Sequence, residues 1–430
     1  MTDTLINGIK ALKGSFTVPG DKSISHRALM LSALGRGTSK VTNFLEGEDC
    51  ISTLNAMRSA GVNIEYSREE IIVHGAGLNG LKEPEDVIDA GNSGTTTRLL
   101  TGLFAGQDFF TVITGDKYLR KRPMKRVVKP LSQMGASIWG RGKGELLPLA
   151  IKGTNLKGIE YHSPIASAQV KSSILLAGLR AKGTTTVFEP SLSRDHTERM
   201  LRAMGAKCRV LDDYGFDLEG GVELSSVDVA VPGDISSAAF FIVAALIVEG
   251  SEIEIKNVGI NPTRTGIVDI LREMGGSISY ENEREIAGEP VADIIVSSSK
   301  LKGIHIGGDW IPRAIDEIPV IAVAAAFAEG RTKVTDAQEL RVKECDRISA
   351  IVSELKKLGV PLEELEDGFI VDGVHQVEGA SVESHGDHRI AMSMAVAGLR
   401  AKGETVIAGS DCVDVSFPGF FELIRSVGEV

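Results

Sequence analysis

The residues best suited to chemistry in this sequence are charged and polar side chains at the starts of expected helices. Lys22 and Arg27 stand at the start of one apolar segment, and Asn92 and Gly94 come just before another. Helix N-termini present free N–H groups and the positive end of the helix dipole, so they bind anions. A cation is disfavoured there unless an anion is also bound. This arrangement predicts a site for a ligand with several negative charges. Further side chains at such positions are Ser23, Ser93, Thr95, Ser167, Gln169, Asp316, His388 and Arg389.

Two basic runs, residues 120–126 and 341–347, point to the same kind of ligand. Glu344 and Arg347 are three residues apart and would share a helix face if the helix has begun there. Arginine pairs in bidentate fashion with carboxylates and phosphates, and a carboxylate beside it can move a proton. The alternative is that the runs are solvated faces and that the Ser, Asn and Asp residues are ordinary helix caps.

Composition limits the partners of the chain. It has 430 residues, is 43% hydrophobic and 24% charged, and carries a net charge of -11. An acidic chain of this kind disfavours nucleic acid and anionic membranes as partners, so an anionic ligand must be met locally. The longest apolar run, 238–248, is too short for a membrane span, and the N-terminus lacks a secretory or transit pattern, so we expect a cytoplasmic protein. The four cysteines are scattered and predict neither a disulfide framework nor a zinc ribbon.

The elements that position these side chains repeat six times, at a period of about 70 residues. Each repeat has a small-residue helix followed by Gly and a β-branched strand, as in ILLAGLRAKGTTTVFEP, and then an amphipathic helix that also ends in Gly, as in TERMLRAMGAKC. In the first five repeats a strand resumes at once after the second helix. The order of strand, helix, strand, helix and further strand predicts an α/β fold built from parallel-containing units.

The tetrapeptide Val-Pro-Gly-Asp occurs at 18–21 and again at 231–234, each time before a helix. We interpret both copies as crossings between two domains of three repeats each. Residues 1–20 plus 233–430 then form a discontinuous domain, and residues 21–232 form an inserted domain. Pro fixes φ and Gly absorbs an angle change, so the crossings would act as a hinge. The alternative is two unrelated turns.

Eight segments, in order, resemble the 5-enolpyruvylshikimate-3-phosphate synthase family along almost the whole chain: PGDKSISHRAL, DAGNSGTTTRLL, RKRPMKRVVKPL, SAQVKSSILLAGL, SRDHTERML, RVKECDRI, DHRIAMS and SFPGFFEL. The resemblance implies the enolpyruvyl transferase fold, a two-domain inside-out α/β barrel of six βαβαββ repeats, with the active site in the cleft. It also implies transfer of the enolpyruvyl group of phosphoenolpyruvate to the 5-hydroxyl of shikimate 3-phosphate, in aromatic amino acid biosynthesis. No cofactor or metal is expected. We expect a monomer that the inhibitor glyphosate can bind.

The resemblance also implies roles for individual residues. Those expected to bind phosphoenolpyruvate are Lys22, Asn92, Gly94, Arg122, Arg347, His388 and Arg389. Those expected to bind shikimate 3-phosphate are Ser23, Arg27, Ser167, Gln169, Ser193, Asp316 and Lys343. Asp316 would take the proton of the attacking hydroxyl, and Glu344 would act with Lys22 in proton transfer at the methylene carbon.

The sequence departs from the family pattern at three positions. Ala168 stands where a second Ser is usual, Glu339 where an Asn is frequent, and Val415 where many members have a Lys. We expect Lys22 and the arginines to supply the charge missing at Val415.

Two other functions remain as alternatives. The related UDP-N-acetylglucosamine enolpyruvyl transferase commonly uses a Cys in a loop that here, at 115–123, contains none. A non-catalytic anion-binding repeat protein would gain nothing from Asp316 and Glu344 among arginines.

Two further sequence motifs do not indicate a cofactor or metal site. A GxGxxG match at 75–80 is followed by Leu-Lys-Glu-Pro, which cannot open a dinucleotide-binding helix. The metal-like 385–388 segment has no further ligand cluster in the sequence, so anion binding is the better interpretation.

Overall fold

A computed structural model describes residues 2–429, and the chain divides into two compact units. The inserted unit comprises Gly20–Val231 and Glu285–Glu289. The terminal unit comprises the chain up to Pro19, Pro232–Arg284, and the chain from Pro290 onward. Two of these divisions fall within one residue of the boundaries expected from the sequence. The assignment of Glu285–Glu289 to the inserted unit has no counterpart in the sequence-based prediction.

The helices, labelled in chain order, are α1 Lys22–Leu34, α2 Glu48–Ser59, α3 Gly94–Ala105, α4 Lys125–Gln133, α5 Arg141–Gly144, α6 Ala168–Gly178, α7 His196–Ala203, α8 Ile235–Ile247, α9 Gly266–Glu273, α10 Trp310–Ala314, α11 Ile318–Ala326, α12 Arg347–Lys357, α13 His388–Gly398 and α14 Phe420–Val427. Short 3-10 turns cover Leu119–Lys121, Gln338–Val342 and Ser410–Val415.

The strands are β1 Thr4–Ile6, β2 Ala11–Thr17, β3 Gly35–Thr42, β4 Asn63–Tyr66, β5 Glu70–Ala76, β6 Ile88–Asp89, β7 Phe110–Thr114, β8 Ser137–Gly140, β9 Leu146–Lys152, β10 Glu160–His162, β11 Thr184–Phe188, β12 Cys208–Leu211, β13 Gly215–Glu219, β14 Leu224–Ser225, β15 Val229–Ala230, β16 Glu252–Gly259, β17 Ser277–Ile286, β18 Glu289–Ser297, β19 His305–Ile306, β20 Arg331–Val334, β21 Leu362–Leu365, β22 Gly368–Asp372, β23 Val377–Glu378, β24 Ser381–Glu383, β25 Ala401–Lys402, β26 Thr405–Ala408 and β27 Gly428–Glu429.

Three sheets show the repeat in its complete form. Their strand orders are β6-β7-β9-β8 and β10-β11-β13-β12 in the inserted unit and β19-β20-β22-β21 in the terminal unit. In each, the strand before the first helix pairs parallel with the strand after it, because a parallel pair needs a crossover connection. The last two strands add as an antiparallel hairpin. This arrangement is the βαβαββ repeat.

The first and fourth repeats take their opening strand from a distant part of the chain. In the inserted unit, β14 and β15 pair parallel with β3. In the terminal unit, β2 pairs parallel with β16, and β1 joins β26 of the sixth repeat. The first Val-Pro-Gly-Asp segment directly follows β2, which opens the fourth repeat, and the second directly follows β15, which opens the first repeat.

The first helix of each repeat lies in the core. Every residue of α8 is buried, as is every residue of α11, which is typical of a helix enclosed on all sides. In the inserted unit α3 packs closely on α6, since a Cβ on Gly102 would lie 2.0 Å from the carbonyl oxygen of Ser173. Within residues 2–429 no helix is both long and apolar enough to cross a membrane.

Candidate active site

Lys22 is the first residue of α1 in the inserted unit. Asp21 caps this helix, and its carboxylate accepts a hydrogen bond from the Ile24 N–H at 2.9 Å. The Lys22 ammonium forms an ion pair with Asp49 in the first turn of α2. The sequence-based prediction that a cation stands at this helix start is confirmed, and Asp49 is a partner that it did not identify.

Asn92, Gly94 and Arg122 come together at the start of α3. Ser93 caps the helix by accepting from the Thr96 N–H at 3.1 Å. Arg122 donates from Nη1 to the Asn92 carbonyl oxygen at 3.4 Å. A Cβ on Gly94 would lie 3.5 Å from the same Nη1. The segment between Asn92 and Arg122 therefore brings these two residues together at the N-terminus of α3.

Arg98 also belongs to this cluster, although the sequence analysis did not select it. Its Nη1 donates to Gln169 Oε1 at 2.5 Å and would lie 3.1 Å from a Cβ on Gly94. Gln169 in turn donates to Thr95 Oγ1 at 3.0 Å. Arg98 is buried, one turn into the otherwise uncharged helix α3. A lone cation inside an uncharged helix was the signal that could have identified it.

Arg27 is held by three hydrogen bonds inside the inserted unit. It donates to Thr197 Oγ1 at 2.7 Å and to Ser172 Oγ at 2.8 Å, and Nη1 donates to the Ser23 carbonyl oxygen at 3.0 Å. Burial lowers the pKa of Arg27 to about 10, so the side chain remains a cation at neutral pH. Its position is therefore fixed by α6 and α7 as well as by its own helix.

Ser167 and Ser193 converge on Glu189, another residue that the sequence analysis missed. The Glu189 carboxylate accepts from the Ser167 N–H at 2.9 Å and from the Ser193 hydroxyl at 2.7 Å. Lys171 lies 2.6 Å from Glu189 and 2.7 Å from Glu198. Burial opposes the charge of Lys171, but the two carboxylates outweigh it and raise the pKa. The two serines thus rest on a buried ion cluster.

In the terminal unit the charged residues gather around Arg347. Its guanidinium is only 2% exposed and contacts Asp387 at 2.7 Å, Asp316 at 3.1 Å and Glu344 at 2.6 Å. Burial lowers the pKa of Arg347, but the three carboxylates outweigh it and raise the pKa above its usual value. One cation therefore fixes both acids to which the sequence analysis gave catalytic roles.

Lys343 and Arg389 complete this cluster from two sides. Lys343 Nζ lies 3.5 Å from Asp316 Oδ1, and Arg389 Nη1 donates to the Asp316 carbonyl oxygen at 3.2 Å. His388 is buried at the first position of α13. Asp387, which the sequence analysis did not place in the site, caps α13 through the Arg389 N–H at 2.8 Å. Burial raises the pKa of Asp387, but Arg347 reverses this, so the pKa is lowered overall.

The sequence analysis expected Glu344 and Arg347 to share a helix face only if the helix has begun at Glu344. That condition is not met, because α12 begins at Arg347 itself. Asp346 is the N-cap and accepts from the Ser349 N–H at 3.1 Å, so Glu344 lies in the turn before the helix. The turn still brings Glu344 Oε2 to 2.6 Å from Arg347 Nη2, so the predicted pairing of the two side chains is present.

The fourth repeat uses its helix start differently. Asp234 caps α8, and Arg264 donates to Asp234 at 3.1 Å and to the Ser236 hydroxyl at 2.7 Å. Ser236 also donates to Glu317, the neighbour of Asp316. This helix terminus is therefore occupied by an internal ion cluster that borders Asp316.

The positions that depart from the family pattern lie at a helix start and in two 3-10 turns. Ala168 opens α6 directly after Ser167, Glu339 lies in the 3-10 turn before Lys343, and Val415 ends another 3-10 turn. In the metal-like segment, His385 bonds Glu354 at 2.8 Å whereas Asp387 bonds Arg347, so the two side chains serve different partners.

The repeated fold and the carboxylates that lie among arginines are typical of an enzyme that acts on anionic substrates. The family model for EPSP synthase (3-phosphoshikimate 1-carboxyvinyltransferase) matches residues 6–424. The 3-phosphoshikimate 1-carboxyvinyltransferases of Geotalea daltonii and Geobacter sulfurreducens are 58% and 59% identical over 418 residues, which is 97% of this chain and of each relative. A solved EPSP synthase from Acinetobacter baumannii superposes with a TM-score of 0.90 at 50% identity and covers 99% of this chain and 98% of that one. The chain therefore belongs to the EPSP synthase family and has its mixed α/β fold.

Proposed function

We propose that the side chains of the two units described above carry out the reaction of the EPSP synthase family in this chain. That reaction transfers the enolpyruvyl group of phosphoenolpyruvate to the 5-hydroxyl of shikimate 3-phosphate in the shikimate pathway. One observation carries the assignment: both proposed proton-transfer acids, Asp316 and Glu344, contact the buried guanidinium of Arg347.

Phosphoenolpyruvate is bound by cations that can pair with its phosphate and carboxylate. Arg122 already lies against Asn92 and Gly94, where a close backbone approach and the helix dipole favour an anion. Arginine suits both groups because its planar fork donates two parallel hydrogen bonds. The proposed set is Lys22, Asn92, Gly94, Arg122, Arg347, His388 and Arg389.

Shikimate 3-phosphate is bound by hydroxyls and cations of which Arg27 is the best fixed. Arg27 is held by Ser172 and Thr197, so its guanidinium is preorganised before a ligand arrives and loses little conformational freedom on binding. The single hydroxyl proton of Ser193 is donated to Glu189, so this hydroxyl must rotate to donate to a ligand. The proposed set is Ser23, Arg27, Ser167, Gln169, Ser193, Asp316 and Lys343.

The chemistry is an addition followed by an elimination. Asp316 accepts the proton of the attacking 5-hydroxyl, and Glu344 with Lys22 delivers a proton to the methylene carbon and later removes one. Because Asp316 and Glu344 both bond Arg347, one guanidinium orients the two acids relative to each other. The arginines stabilise charge that develops on the carboxylate and the departing phosphate.

The wider setting follows from the same resemblance. We propose that both clusters serve one pair of substrates in a cleft, with the Val-Pro-Gly-Asp segments as the hinge. We also propose a monomer that works in the cytoplasm and that binds glyphosate in the phosphoenolpyruvate site.

Phosphate release tests the acceptor. Phosphate should appear when the protein is mixed with phosphoenolpyruvate and shikimate 3-phosphate, and not when UDP-N-acetylglucosamine replaces the shikimate. Release with the sugar nucleotide alone would contradict the proposal.

Arg122→Gln tests the residue assignment. A lost charged hydrogen bond costs about 1.5 to 3 kcal/mol, so kcat/KM for phosphoenolpyruvate should fall roughly 10- to 100-fold. Lys125→Gln is the matched control, because Lys125 belongs to the same basic run but is exposed and paired with Glu145 at 2.6 Å. It should stay within about twofold of the parent. Equal losses in both variants would remove Arg122 from the site.

A further inference from the structure

Helices α1 and α2 are joined by two polar rungs that are in register. The first rung is the ion pair of Lys22 with Asp49. The second is a hydrogen bond of 2.6 Å between His26 Nδ1 and Thr53 Oγ1. Lys22 and His26 are four residues apart on α1, and Asp49 and Thr53 are four apart on α2, so each pair lies on one helix face. Helix α2 itself contributes none of the proposed substrate ligands.

Thr96, in the first turn of α3, connects both rungs to a third helix. Its hydroxyl lies 2.6 Å from Thr53 Oγ1 and 3.2 Å from the Asp49 carbonyl oxygen. It also lies 2.7 Å from the hydroxyl of Ser93, the N-cap of α3. These hydrogen bonds run from His26 through Thr53 and Thr96 to Ser93, and all four side chains are fully buried. The series of hydrogen bonds therefore links α1, which carries Lys22, to the start of α3, which carries Gly94.

The donor and the acceptor of each hydrogen bond in this series can be assigned. Burial lowers the pKa of His26 to about 3, so the imidazole is neutral and carries one proton. Among residues 2–429, His26 Nε2 has no hydrogen-bond partner, so a proton there would be a buried donor without an acceptor. The proton therefore belongs on Nδ1 and is donated to Thr53. Since each hydroxyl has one proton, Thr53 then donates to Thr96, and Thr96 donates towards Ser93 or the Asp49 carbonyl.

We infer that His26, Thr53 and Thr96 are positioning residues for Lys22, acting through α2 and Asp49. They hold the Lys22 ammonium at a fixed place relative to Gly94 at the start of α3. The inference rests on the proposed role of Lys22 in binding phosphoenolpyruvate and moving a proton. If these hydrogen bonds were purely structural, removing one would lower only the stability of the fold. If they position Lys22, removing one also lowers kcat/KM for phosphoenolpyruvate.

Thr53→Val separates these two roles. Valine keeps the shape of threonine but removes the hydroxyl, so both the His26 and the Thr96 bonds are lost. We expect kcat/KM for phosphoenolpyruvate to fall roughly tenfold, because the ammonium is no longer held in place. The dissociation constant of shikimate 3-phosphate, measured by calorimetry without phosphoenolpyruvate, should stay within about twofold. Arg27 keeps its own bonds to Ser172 and Thr197.

Two further variants serve as controls. Thr53→Ser keeps the hydroxyl and should return kcat/KM to within about twofold of the parent. Thr185→Val makes the same change at a fully buried threonine of the same unit whose hydroxyl has no partner among the described residues. It should leave kcat/KM unchanged. A tenfold loss in Thr185→Val, or no recovery in Thr53→Ser, would overturn the inference.

Lys22→Met distinguishes a failure of the inference from a failure of the proposed function. If Lys22→Met leaves kcat/KM for phosphoenolpyruvate intact, the proposed role of Lys22 is wrong. If Lys22→Met is impaired but Thr53→Val only lowers the melting temperature, the positioning inference alone is wrong. If Thr53 acts through Lys22, adding Thr53→Val to Lys22→Met should cause no further loss in kcat/KM.

Discussion

Gly94→Ala is the smallest change that tests the phosphoenolpyruvate site. The added Cβ would lie 3.1 Å from Arg98 Nη1 and 3.5 Å from Arg122 Nη1. The first distance is too short for an ordinary contact, so the Arg98 guanidinium would have to move by a few tenths of an ångström. It cannot move freely, because Gln169 holds the same nitrogen at 2.5 Å. The methyl group therefore enters space bordered by two cations.

The size of the effect follows from what the methyl displaces. Alanine is favoured over glycine in a helix by up to about 1 kcal/mol, which offsets the tight contact, so stability should change little. A hydrogen bond to a charged group contributes about 1.5 to 3 kcal/mol, and losing about 1.4 kcal/mol of it should raise the KM for phosphoenolpyruvate about tenfold. Glyphosate is slightly longer than the substrate and should meet the methyl first. Its inhibition constant should rise by about 100-fold or more, since specificity is a difference of two affinities.

The two constants are measured side by side on the same preparation. The ratio of the glyphosate inhibition constant to the phosphoenolpyruvate KM should increase about tenfold in Gly94→Ala. Unfolding by urea shows whether the variant remains as stable as the parent. A folded variant with an unchanged ratio would refute the reasoning and place Gly94 outside the pocket, as a plain first-turn glycine.

Three further predictions concern single side chains of the two clusters. Glu344→Gln keeps the shape but cannot cycle a proton, so kcat should fall roughly 10²- to 10⁴-fold with little change in either KM, and near-normal turnover would argue against a catalytic role. Arg27→Ala should raise mainly the KM for shikimate 3-phosphate, and Arg389→Ala mainly that for phosphoenolpyruvate, whereas equal effects on both substrates would contradict the assignment. Burial depresses the pKa of His26 from 6.5 to about 3, so the stability that it contributes is complete above pH 6.5 and is lost as the pH falls towards 3. Between pH 7.5 and 5 the loss is about 2 kcal/mol, and urea unfolding of His26→Gln should lack this part of the pH dependence.

The fold was predictable to the extent that it repeats. Helix stops at Gly, small-residue first helices and the duplicated Val-Pro-Gly-Asp segment all recur in the sequence, so repeat number and fold class could be predicted. The sequence also predicted that the N-terminal strand belongs to the terminal unit, but the strand pairings could not be predicted, because β2 pairs with β16 and β15 pairs with β3, far away along the chain. Pairing over that distance leaves no local pattern. The same holds for Glu285–Glu289, whose Glu289 carboxylate lies 2.8 Å from His196.

The site was predictable where a residue is recognisable by its own position. Lys22 and Arg389 stand at helix starts, where a cation needs an explanation. Glu189, Lys171 and Asp387 were missed because they act through partners that are distant in sequence. Glu189 lies more than 20 residues from Ser167, and Asp387 lies 40 from Arg347. A buried carboxylate of this kind cannot be distinguished from a surface residue until its cation is known.

The cluster around Arg347 shows how an acidic protein can bind anions and still hold groups that move protons. Lys343, Arg347 and Arg389 each lie within 4.0 Å of an Asp316 carboxylate oxygen, and Arg347 also contacts Glu344 and Asp387. Cations without such partners would favour the ionised form of a neighbouring acid and make it a poor base, and carboxylates in the same cluster offset that charge. The carboxylates also hold the guanidinium of Arg347 in place, so that an anionic ligand meets a cation whose position is already fixed. If the cluster serves the proposed reaction, the carboxylates that make the chain acidic are also the groups that position its anion-binding cations.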